Sequence, residues 1–269
     1  MSDSIYQRDG NTYSPTEWAG SPWSAELQHG GPVNALFATA AQEAAEQTGL
    51  RVVRLTVDLF RPVPMLPLVL EWRFARKGHR IAAIEAQLVL PTEAKCISRA
   101  SAVLLRPSPE LPPAWSHTPA LALEIERAEP IEFIPKLRIG MLPPGFHRSF
   151  EVRMGDDERG PAAWITTPLQ LIPDEPMSPL QRCAAVADLT FGLSRRLREP
   201  KQTVDANTWP VAMINTDTTI YWARQPVGTW FGFRNMLLTA DEGTGLAEID
   251  LTDSQGHLGR SLQALLANA

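Results

Sequence analysis

The feature that most restricts how these 269 residues can fold is a repeated order of elements, one alanine-rich helix followed by four strands, in each half of the chain. In the first half, Gly30, Gly31 and Pro32 open VNALFATAAQEAAEQ, a run of strong helix formers. Proline at a first helical position gives up no needed amide, so the run predicts a helix over 32–47. RVVRLTVDLF, LPLVLEWRFA, RIAAIEAQLVL and KCISRASAVLL then read as strands, separated by proline and glycine breaks at Pro62, Pro64, Gly78 and Pro91. In the second half, Ser178 and Pro179 repeat the cap-plus-proline signature and predict a helix over 179–196. WPVAMINTDTTIYWA, TWFGFRNMLLT, GLAEIDL and LGRSLQALLA follow as strands, while FHRSFEVR and AAWITT read as short strands ahead of the helix. Nine of the 24 prolines fall within 107–145, which excludes a long helix or central strand there and marks a connection.

The repeat extends to residues. Setting Arg61 over Arg224 places LTVDLFR on TTIYWAR, and setting Arg99 over Arg260 places RASAVLL on RSLQALL, in the same order. Duplication explains both matches, and predicts units at 1–106 and 146–269 joined by 107–145. A lone helix followed by hairpin-linked strands buries its apolar face under a curled sheet, and two such units can pair sheet to sheet. The expected class is α+β. A net charge of -5 supplies no global basic field, so neither nucleic acid nor an anionic membrane is an expected partner. The opening MSDSIYQRDG lacks secretory features and Cys96 and Cys183 lie far apart, so a reducing cytoplasm is the expected location. Exposed sheet edges leave a homo-oligomer open.

At HGGPVNALFATA, RLTVDLFRP, FHRSFEVR, PDEP and ADLTFGL the chain resembles the acyl-CoA thioesterase II type of thioesterase-like protein, a double hotdog fold. The resemblance spans almost the whole chain. It implies hydrolysis of a fatty or other acyl-CoA without metal or bound cofactor, at a site between the halves. There a helix acid, a strand threonine and a glutamine of the last strand hold a water. Residue by residue, the acid falls on Asp188 and the glutamine on Gln263, while the threonine position holds Asn215. Thr216 is adjacent, but neighbouring strand side chains point to opposite faces, so it does not simply replace the missing hydroxyl.

The residues themselves leave two readings of each position open. Asp188 is the only charge in CAAVADLTFGL: either an exposed edge acid, or a buried general base. Gln263 is either a surface amide or an orienting partner, and Asn215 either a strand-start residue or a site residue. With Pro32 also set over Pro179, their first-half counterparts are Ala41, Val52 and Ala102, all apolar, which suggests chemistry at only one of two quasi-equivalent places. Gly30 and Gly31 either make a tight turn or bring helix-terminal amides to a developing oxyanion, and His29 is a candidate lining residue beside them. Trp222, Trp230, Phe231 and Phe233 fill the core or line an acyl pocket, and the basic stretch Arg73 to Arg80 reads as solvated hairpin charge. No G-x-S-x-G elbow, nucleotide-binding glycine pattern or metal-ligand spacing occurs. Two other readings stand beside hydrolysis: a non-catalytic acyl-CoA-binding module, and a hydratase using Asp253 and His257.

Overall fold

A computed structural model describes residues 3–108, 125–134, 141–198 and 213–267. Most of the connection expected over 107–145 and the start of the strand expected at Trp209 lie outside these residues.

The first helix, α1, spans Gly30–Thr48, two residues longer at its start than the sequence predicts. His29 caps it through Nδ1, which accepts from the Gly31 amide at 3.1 Å, so Pro32 sits inside the first turn rather than opening it. At the other end Gly49, with φ 67°, supplies the left-handed terminator. The second helix is two pieces, α2 at Pro179–Ala187 and α3 at Thr190–Arg198. Ser178 and Gln181 form a reciprocal capping box at the start of α2, with Pro179 at its first position. A single helix over 179–196 is therefore corrected to a broken one, and the break falls on Asp188 and Leu189.

Among the described residues fourteen strands form one antiparallel sheet. The first-half strands are β3 (Arg51–Asp58), β4 (Leu68–Lys77), β5 (Ile81–Leu90) and β6 (Lys95–Leu105). An N-terminal hairpin that the sequence reading missed, β1 (Tyr6–Asp9) and β2 (Thr12–Pro15), extends this part of the sheet through β4. Beyond β7 (Glu129–Ile131), β8 (Glu151–Asp157) and β9 (Gly160–Thr166) come β10 (Met213–Asn215), β11 (Asp217–Trp222), β12 (Phe231–Asp241), β13 (Thr244–Asp253) and β14 (Gly256–Ala267). From the centre outward, one side runs β3-β6-β5-β4-β2-β1 and the other β11-β14-β13-β12-β9-β8-β7.

The centre is the antiparallel pair β3 and β11, in which Thr56 faces Thr219 and the two hydroxyls lie 3.2 Å apart. These threonines are also superposed by the Arg61-on-Arg224 alignment, so the pairing is centred on equivalent positions. The register repeats too. Thr56 opposes Ser101 and Thr219 opposes Leu262; Val52 opposes Leu104 and Asn215 opposes Leu265. Each second-half pair is the first-half pair carried across by the two sequence alignments. A one-residue slip follows at Val53 in one side and at Thr216 in the other, a bulge at the same place in both.

α1 packs on β3 to β6, and α3 packs on β9, β12, β13 and β14. α1 and α2 run antiparallel: Gln42 meets Ser178, Thr39 meets Gln181, and Gly31 meets Ala185. Phe231, Phe233 and Trp222 are buried in the same core as Phe37 and Leu36 of α1, so those aromatics are core. At the β4–β5 hairpin, Arg73 pairs with Glu85 and Lys77 lies 4.7 Å from the Phe74 ring centre, as solvated hairpin charges do.

Candidate active site

Where α1 begins, its first turn meets the break between α2 and α3. Gly30 is what lets them meet: a Cβ there would lie 2.5 Å from Asp188 Oδ1 and 2.8 Å from Oδ2. Gly31 is needed for the same reason, because its Cβ would lie 2.5 Å from the Phe146 ring and 2.6 Å from the Ala185 carbonyl. The Asp188 side chain is only 5% exposed, and this buried carboxylate at the helix break faces the anion-favouring end of α1.

Both carboxylate oxygens have partners. Asn215 Nδ2 donates to Oδ1 at 2.8 Å, and His29 Nδ1 lies 2.9 Å from Oδ2. The same nitrogen is the acceptor for the Gly31 amide, and one ring nitrogen cannot accept and donate at once. When His29 Nδ1 carries the proton and donates to Asp188, the Gly31 N–H is released for another acceptor. His29, expected only as a lining residue, is a direct contact of the acid. Its ring is held edge-on by Phe146 and Phe150, with centroids at 5.4 and 6.1 Å, and Phe133 packs on Phe150 at 6.0 Å. This aromatic wall is not legible in the sequence: FHRSFEVR reads as one strand, whereas Phe146–Arg148 is a 3-10 turn and only Glu151 onward joins β8.

Gln263 reaches the site by another route. Its Nε2 donates to the Asp188 main-chain carbonyl and to Thr218 Oγ1, both at 3.0 Å, and its Oε1 accepts from the Phe191 amide at 2.9 Å. Breaking a helix strands carbonyls and amides that must find partners. The buried Gln263 amide supplies them for Asp188 and Phe191, and Thr190 Oγ1 supplies one for Ala187, at 2.7 Å. Gln263 thus touches the backbone of Asp188 and not its carboxylate. Thr216 turns its hydroxyl to the Ala264 carbonyl at 3.4 Å, away from the acid. The first-half counterparts Ala41, Val52 and Ala102 are buried in the core.

Asp253 and His257, the pair a hydratase would need, are not arranged for acid–base work. The Asp253 carboxylate is clamped by the Arg224 guanidinium and by the amides of Val227 and Gln255, and it holds the β13–β14 turn. Among the described residues no group of three or more His, Cys, Asp or Glu side chains could hold a metal ion, and no helix is long and apolar enough to cross a membrane.

Solved structures with the same fold include the TesB protein of Mycobacterium avium subspecies paratuberculosis, 15% identical over 98% of this chain and 96% of that one, TM-score 0.65. A hot dog fold protein of unknown function from Alicyclobacillus acidocaldarius is 18% identical over 99% and 97%, TM-score 0.66. Acyl-CoA thioesterase II TesB2 of Mycobacterium marinum is 15% identical over 99% and 95%, TM-score 0.60. No curated protein sequence matches the chain. The family model described as the acyl-CoA thioesterase N-terminal domain matches residues 19–105, and the model of the C-terminal domain matches residues 125–267. A hotdog-like antiparallel sheet matched by both domain models places the chain in the acyl-CoA thioesterase family of thioester hydrolases.

Proposed function

We propose that Asp188 is the general base of acyl-CoA hydrolysis in this protein. The observation that carries the reading is a buried carboxylate at a helix break, pressed on Gly30 and held through separate oxygens by Asn215 and His29. Asp188 takes a proton from a water, whose oxygen bonds to the thioester carbonyl carbon. The carbonyl oxygen becomes an oxyanion facing the amides at the start of α1, among them the Gly31 N–H that His29 releases when its Nδ1 donates to Asp188. The C–S bond then breaks, CoA leaves as its thiolate, and the acyl group leaves as the acid. Asn215 holds Oδ1 in the place where the resemblance expects threonine. Gln263 acts one step back, by bracing the break that presents Asp188.

The fold reading is a double hotdog, with units at 1–106 and 146–269 joined by 107–145. Its support is the mirrored strand order about Thr56 and Thr219 and the shared register and bulge. In that arrangement the first unit lends the helix entry and the second the acid.

Thiol release from a panel of acyl-CoAs tests the mechanism, comparing the native protein with Asp188→Asn. Loss of about 100-fold or more in kcat is expected for removal of a general base. Undiminished release in the variant would end the assignment.

A further inference from the structure

Asn34 is fully buried, and neither its Nδ2 nor its Oδ1 has a hydrogen-bond partner. Each such group left unpaired costs about 1–3 kcal/mol, so a native amide in this state points to something that completes it. Its position says what. Asn34 lies four residues after Gly30 on α1, hence on the same helix face and about 6 Å further along the axis. Helical side chains lean toward the N-terminus, so this one leans over the turn that Gly30 leaves without a side chain. That turn is the one packed on the Asp188 carboxylate. Between Gln181, which meets Thr39, and Asp188, which meets Gly30, the side of α2 turned to α1 carries only Ala184 and Ala185, without polar side-chain atoms.

We propose that the Asn34 carboxamide, together with Asp188, holds the water that attacks the thioester. A water can donate to Oδ1 of the amide and to the carboxylate while accepting from Nδ2, which satisfies both orphaned atoms at once. The first half then contributes a polar group to the reacting water as well as a helix entry. This inference rests on Asp188 acting as the base.

The test is a kinetic series of Asn34→Leu, Asn34→Ala and Asn34→Ser beside Asp188→Asn, reading kcat, KM and Tm. Leucine replaces a buried amide that no protein group pairs by an apolar group of similar size, so Tm should hold or rise. The water loses a ligand, so kcat should fall about 10- to 100-fold while KM stays within about threefold. Serine, which can still bind a water, should recover part of the loss that alanine shows. A leucine variant with kcat within about twofold of native, while Asp188→Asn is inactive, would overturn the Asn34 role and leave the base assignment standing. Should the leucine variant fail to fold, alanine, the best helix former, decides by the same criterion. Activity retained in Asp188→Asn would remove the base assignment and this inference with it.

Discussion

Asn215 Nδ2 donates to Asp188 Oδ1 at 2.8 Å, linking the end of a three-residue strand to the helix break. Under the proposed mechanism this bond gives asparagine the role that the resemblance expects of threonine, because either side chain offers a donor to the acid. Asn215→Thr should therefore keep activity within about threefold, whereas Asn215→Leu should lower kcat about 10- to 100-fold, the worth of a hydrogen bond to a charged group. Equal activity in the threonine and leucine variants would show that the donor is dispensable.

Gly30 and Gly31 should fail differently. A methyl at Gly30 meets the Asp188 side chain, whose carboxylate can swing away, so Gly30→Ala should fold with native-like Tm and lose most of its kcat. A methyl at Gly31 meets the Ala185 carbonyl, which is backbone and cannot swing away, as well as the Phe146 ring. Gly31→Ala should lose stability by about 1–3 kcal/mol, the usual cost of overpacking. Urea unfolding and initial rates on the two variants separate these outcomes, and a Gly30→Ala protein with native kcat would show that the acid does not need its present position.

Gln263 is a case in which stability and activity should fall together. Gln263→Leu takes this partner from the buried Asp188 carbonyl and from the half-buried Phe191 amide, a loss of about 1–3 kcal/mol, the cost of one buried polar group left unpaired. Asp188→Asn is close in shape and should leave Tm nearly unchanged. Native-like unfolding of Gln263→Leu with only kcat reduced would instead favour a direct contact of the amide with water or substrate.

What could be read from the residues was the scaffold. The offsets read from LTVDLFR on TTIYWAR and RASAVLL on RSLQALL reproduce the register of β11 against β14 from that of β3 against β6. Such matches persist because a strand slip of one residue turns every side chain to the wrong face. The break at Asp188 was not readable, since VADLTF contains no glycine or proline. It is made by Thr190 and by Gln263, a partner 75 residues beyond Asp188. The closeness of Gly30 to Asp188 was equally hidden, because two glycines before a helix look the same whether they make a turn or a contact. Asn34 left a faint trace, as a lone amide in VNALFATAA. Periodicity shows that such a residue is buried, not what it faces.

Acid stability should fall in two separable stages, set by His147 and Asp157. Burial, with the nearby His29 and Arg148, lowers the His147 ring from 6.5 to about 4. The folded protein therefore keeps this ring neutral where the unfolded chain protonates it. The stability tied to the neutral ring is complete above pH 6.5 and is lost as pH falls toward 4, by about 3 kcal/mol at most. Asp157 acts in the same direction at lower pH, through its charged rather than its neutral form. Hydrogen bonds from Arg234, at 2.7 and 2.8 Å, hold its carboxyl at about 2 rather than 3.8. Its contribution is present above pH 3.8 and is lost as pH falls toward 2. Unfolding free energies measured across this range should show a flatter slope between pH 6.5 and 4 in His147→Leu, and a flatter slope only below pH 4 in Asp157→Asn. A His147→Leu protein that keeps the native slope over the upper interval would place the source of that acid sensitivity elsewhere in the fold.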